Sequence, residues 1–94
     1  MCGHINPMAR IALERLKQDV KWGVQNHSDL RWLPILLEEV GEVAYTINEA
    51  YPHKERLFKY EACMENLELE LVQVAAVSLA WLECIRRRPE SGKG

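Results

Sequence analysis

The chain lacks several features that would each point to a different class of protein. It has no extended basic stripe interleaved with aromatic residues, and its net charge is −2 with a pI of about 5.9. A nucleic-acid polymer is therefore not the expected partner. It has no Cys-x-x-Cys spacing; its cysteines, Cys2, Cys63 and Cys84, are odd in number. Cys63 and Cys84 read as small buried hydrophobes on a helix. It also lacks an apolar run long enough to cross a bilayer, because the longest is punctuated by Gln73, Ser78 and Glu83. The opening MCGHINPMAR has no apolar signal core. We expect a soluble protein in a reducing, cytoplasmic setting. No repeat and no strand-like alternation occurs, so the fold expected is all-α.

What is present fits one domain, residues 1–94, with a few N-terminal residues and 89–94 frayed. A chain this short buries a limited core. Yet 48% of its residues are hydrophobic, which leaves apolar surface to share. A homo-oligomer of helices would use that surplus.

Three helices are predicted. Asn6-Pro7 reads as N-cap and first helical position. The pattern then continues to about Asn26, with Ile11, Leu13, Leu16, Val20 and Val24 as its apolar stripe. NHSD is turn and capping chemistry. Pro34 then places the regular start of the second helix near Trp32 or Leu33, and Tyr51-Pro52 ends it after about Ala50. YPHKERLFKY is a charged connector, and the last helix runs from about Glu61 to Arg87. Its end carries Arg86, Arg87 and Arg88, where the helix dipole favours cations.

The informative stretch is LLEEVGEVAY, in which Glu38, Glu39 and Glu42 crowd around Gly41. Against a stripe of Leu36, Val40, Val43, Ala44, Ile47 and Tyr51, Glu39 falls about 90° from the centre and Glu42 further round. A solvated helix face is one reading. The last helix supplies the other. From Leu71 to Ile85, 12 of 15 residues are apolar and wrap the whole circumference, as in a buried helix. Relative to Leu67, Leu71, Val74, Ser78, Leu82 and Ile85, the pair Glu70 and Gln73 has the same angular offsets as Glu39 and Glu42. Helices packed by those flanks would gather Glu39, Glu42 and Glu70, with Gln73 beside them. Like charges held together away from water are costly, and a divalent cation removes the cost. All the donors are oxygens, which suits Mg²⁺ or Mn²⁺. A bound cation would also let an acidic site accept a phosphorylated ligand.

Glu39-x-x-Glu42, then 27 intervening residues and Glu70-x-x-Gln73, resembles the signature of the MazG-like all-α nucleoside triphosphate pyrophosphohydrolases, in which ExxE precedes ExxD. WGVQNH leading into RWLPILLEEVGEVA, and LELVQVAAVSLAWLE, extend the likeness over roughly Trp22 to Glu83. The resemblance implies Mg²⁺-dependent cleavage of a nucleoside triphosphate between its α and β phosphates, and a house-cleaning role in the nucleotide pool. It also implies a helical bundle completed by homo-oligomerisation, as a homodimer or dimer of dimers. It implies metal ligands at Glu39, Glu42, Glu70 and Gln73. Glu38, beside them, is read as orienting a ligand or activating water. Gln73 departs from the pattern, since an amide brings a neutral oxygen where the family has an aspartate. That change weakens one metal position, lowers the number of metals, shifts the contact to Glu38, or marks an inactive relative.

The resemblance also places the base near Trp22, Gln25 and His27, by stacking and edge hydrogen bonds. Trp22 as a core anchor and His27 as a helix cap are the competing readings. Trp32 and Trp81 are assigned to packing. Lys54, with Arg56 and Lys59, either meets phosphate oxygens or keeps the connector wet. Two rivals remain: a non-catalytic helical interaction module, and a di-iron bundle, which needs the Glu-x-x-His absent here. Gly41 is expected to relieve crowding where another helix or ligand comes close.

Overall fold

Asn6 and Pro7 begin the first helix as their chemistry dictates. The computed structural model describes residues 5–50 and 57–89. In it, the Asn6 side-chain oxygen accepts the Met8 amide at 2.8 Å, and Pro7 opens α1, Pro7–Trp22. α1 stops at Trp22 and not near Asn26. Gly23 takes φ 74° and donates its N–H to the Asp19 carbonyl at 2.8 Å. Glycine enters that left-handed region without a Cβ penalty, so the helix ends there.

α2 spans Asp29–Ala50 and begins earlier than Pro34 suggested. Ser28 anchors the start: its carbonyl accepts the Arg31 and Trp32 amides at 3.0 Å, and its Oγ accepts from Arg31 at 3.3 Å. Asp29 accepts from Trp81 Nε1 at 2.8 Å and from Arg88 Nη2, at the C-terminal end of the last helix, at 2.7 Å. These tertiary bonds fix a first turn ahead of the proline. Pro34 then sits in the second turn, where its missing N–H leaves only the Leu30 carbonyl without a helical donor. Leu30 is 85% exposed, so that end of the helix is open to water.

α3, Leu57–Arg87, is the spine. Its 31 residues make a rod of about 46 Å. α1 lies along it in parallel, as the pairs Arg10–Glu68, Glu14–Gln73 and Asn26–Arg87 show. α2 runs antiparallel, with Asp29 at Arg88 and Trp32 against Val77 and Cys84. Among the described residues, α1 and α2 pack on α3 and not on each other. The radius of gyration is 16.0 Å, against about 12 Å for a compact domain of this length. No helix among the described residues is long and apolar enough to cross a membrane.

The seam between α2 and α3 repeats every seven residues. On α2 the series Trp32, Glu39, Thr46 and Leu36, Val43, Ala50 face inward; on α3 the series is Cys63, Glu70, Val77, Cys84. Antiparallel helices at a shallow angle keep such a repeat facing the partner. This corrects the stripes expected from a 3.6-residue period. Val40 is 45% exposed and Ala44 is exposed, while Leu71, Leu82 and Ile85 on α3 also reach solvent. Glu39 and Glu70 are seam positions, not flanks.

α1 is turned opposite to the expected stripe. Leu13, Leu16, Val20 and Val24 are exposed, and Arg15 is buried between Asp19 and Glu83. Burial alone would lower the pKa of Arg15, but hydrogen bonds to those two carboxylates overcome it and raise the value.

Candidate functional site

Two glutamates in an apolar seam need an explanation. Glu39 comes from the middle of α2 and Glu70 from α3 facing it; Glu42 is one turn beyond Glu39. One carboxylate oxygen from each lies within 4.8 Å of the others. Glu39 and Glu70 are half-buried, and Glu42 is exposed. None of the ion pairs among the described residues reaches this trio. Glu70 Oε1 is fully shielded from water and has no hydrogen-bond donor.

The electrostatics follow. Burial raises the pKa of Glu39, and repulsion from Glu42, Glu70, Glu38 and Glu14 adds to it. Burial also raises the pKa of Glu70, with a proton-sharing contact and repulsion from Glu42 next. Two ionised carboxylates have no donor between them, so a proton held by the Glu42–Glu70 pair is what would satisfy Glu70. A cation would satisfy it equally. The donor set, all carboxylate oxygens with one orphaned and buried, fits a hard divalent ion.

Gln73 is bonded to α1. Its amide nitrogen donates to Glu14 Oε2 at 2.7 Å, and its oxygen accepts from Gln18 at 3.3 Å. Glu14, when ionised, can only accept, so this contact fixes the amide's orientation. Gln18 in turn accepts from Arg15 at 3.1 Å. Through these bonds Gln73 links α3 to α1.

Beside the trio, the groove between the helices opens into a cavity of about 580 Å³, with Glu39, Gln73, Trp32 and Val77 on one side. Its α1 wall carries Glu14, Lys17, Gln18, Lys21 and Trp22, with Gln25 just beyond the helix. Trp22 is 60% exposed and lines the cavity, so it is no core anchor; Lys21 Nζ sits 4.8 Å from its ring centroid. His27 lies elsewhere. Its ring meets Trp32 edge-on at 4.9 Å, its carbonyl accepts from Arg88 at 3.3 Å, and the capping role belongs to Ser28. Glu38 is exposed and touches the site through its repulsion of Glu39. Lys54 and Arg56 lie outside the described residues. Trp32 and Trp81 stack at 6.4 Å in the core, as expected for packing residues.

Sequence reasoning missed Glu14, Lys17, Gln18 and Lys21. Their spacing did carry a signal, a polar series at helical intervals on α1. The apolar series on the opposite side obscured it. No protein-family model matches the chain, and comparison with curated proteins and with solved structures finds no match.

Proposed function

We propose that the chain is a Mg²⁺-dependent nucleoside triphosphate pyrophosphohydrolase, releasing a monophosphate and pyrophosphate. One observation carries this reading: Glu39, Glu42 and Glu70 converge within 4.8 Å, without a cationic partner among the described residues, beside a cavity that ends at Trp22. The spaced Glu39-x-x-Glu42 and Glu70-x-x-Gln73 pairs, similar to the MazG-like signature, support the same chemistry.

Glu39, Glu42 and Glu70 would hold the metal, which when bound offsets phosphate charge and lowers the pKa of coordinated water. The other roles belong to the chain. Glu38, exposed beside Glu39, would accept a proton from the attacking water. Gln73 holds Glu14 in the cavity wall, and the seam on either side of Glu39 and Glu70 excludes bulk water. Trp22 offers a face to the base and Gln25 a polar edge. The substrate class is a deoxy- or ribonucleoside triphosphate, and the setting is clearance of unwanted nucleotides in the cytoplasm.

A second copy of the chain completes the bundle in this proposal. Leu13, Leu16 and Val20 form an apolar strip on the outer face of α1, which a monomer would leave in water. The same strip favours the second reading, a non-catalytic helical interaction module. Turnover separates them. A panel of canonical and modified triphosphates, with Mg²⁺ or chelator, is read for monophosphate and pyrophosphate. Metal-dependent release of both, reduced at least about a hundredfold by Glu39→Ala, is the expected outcome. A folded, metal-loaded protein that turns over none of the panel would favour the interaction module.

A further inference from the structure

Resting on that reading, we infer that α1 is the phosphate-binding wall of the cavity, with Lys17 and Lys21 holding the triphosphate between the carboxylate trio and Trp22. Positions 14, 17, 18, 21 and 22 follow i, i+3, i+4, i+7 and i+8, so one face of α1 meets the cavity. That face is ordered by chemistry along its length. Glu14 stands at the metal end, bonded to Gln73 and near enough to Glu39 to repel its charge. Lys17 and Lys21 follow, and Trp22 closes the far end. From Glu14 to Trp22 the rise is about 12 Å, at about 1.5 Å per residue.

Among the described cations that make no ion pair, which also include Arg31, Arg86 and Arg87, only Lys17 and Lys21 line the cavity. Arg10, Arg15 and Arg88 are each paired with a carboxylate, and Arg87 is bonded to Asn26 and the Gln25 carbonyl. Lys17 and Lys21 make no ion pair among the described residues, although both line the cavity. Four residues apart, their side chains leave the helix about 5–6 Å from each other. Two ammonium groups at that spacing suit neighbouring phosphates better than a single one. Their chemistry selects an extended polyphosphate, and their placement sets its direction: phosphates toward Glu39, base toward Trp22.

The test measures binding of non-cleavable α,β-methylene nucleoside triphosphates, the matching monophosphates and the bare nucleosides to the whole protein in Mg²⁺. Wild type is compared with Lys17→Gln/Lys21→Gln and with Lys17→Arg/Lys21→Arg. Both lysines are exposed, so melting temperatures should agree and confirm folding. The glutamine pair should weaken triphosphate binding about a hundredfold, roughly tenfold per lost charged contact. Nucleoside binding should stay within about twofold, and the arginine pair should recover most of the triphosphate affinity. Equal weakening of nucleoside and triphosphate, or unchanged triphosphate binding in the glutamine pair, would overturn the lysine assignment alone. A wild type that binds Mn²⁺ but none of the triphosphates would overturn this inference together with the proposed function.

Discussion

At the scale of single residues, the account turns on charges placed where a helix seam should be apolar. Glu39 and Glu70 both have pKa values raised by folding, first by burial and then by neighbouring carboxylates. The sign is definite. A raised carboxyl pKa gives stability that is complete below the ordinary value of 4.5 and is lost as pH rises through the folded value. The metal-free protein should therefore lose stability from about pH 4.5 upward, and Mg²⁺ should restore it at neutral pH. Glu70→Gln removes one charge from the cluster. It should raise the metal-free melting temperature at pH 7.5 by about 4 °C, a solvent-screened effect on the order of 1 kcal/mol. It should also abolish most of the Mg²⁺-induced shift. Thermal melts across pH, with chelator and with Mg²⁺, check both.

Gly41 belongs to the same scale. A Cβ built there meets nothing within 4 Å among the described residues, so the crowding expected from the sequence is absent in one chain. Gly41→Ala should stabilise α2 by about 0.5–1 kcal/mol. Denaturant unfolding reads the change directly. A loss of stability instead would place a second copy against that position.

At the scale of elements, the seven-residue seam explains which parts were legible in the sequence. Asn6-Pro7 marked the start of α1, and both carboxylate pairs fell on the helices assigned to them, because caps and periodicity are local. The facing of α1 was not legible. Its inward side is chosen by bonds to residues more than fifty positions away, Arg15 to Glu83 and Gln73 to Glu14, which no local pattern encodes. The start of α2 failed for the same reason, since Trp81 of α3 and Arg88 just beyond it hold Asp29 ahead of Pro34. Trp32 is the anchor that aligns α2 on α3. It is 1% exposed, packs with Val77, Ala80 and Cys84, and also walls the cavity. Trp32→Ala should cost about 3–5 kcal/mol of stability by urea unfolding. It should also weaken the proposed metal site by loosening the register that opposes Glu39 to Glu70.

At the scale of the whole molecule, two helices on one helical spine make an extended body of 56 × 27 × 20 Å, open along the outer faces of α1 and α3. The site lies along α3 between the other two helices: α2 and α3 give the carboxylates, α3 gives Gln73, and α1 gives the wall. Composition made the apolar surplus visible, but only the packed chain separates the inward seam from the outward strip. The central claim is that the glutamates in that seam hold a divalent ion. Its most direct measurement is a Mn²⁺ titration at neutral pH, following the electron paramagnetic resonance signal of the unbound ion, for wild type, Glu39→Gln and Glu70→Gln. Binding in wild type that weakens in each variant by more than the about tenfold already caused by changes behind metal ligands is the predicted result. Equal binding by all three proteins, or none by wild type, would contradict it.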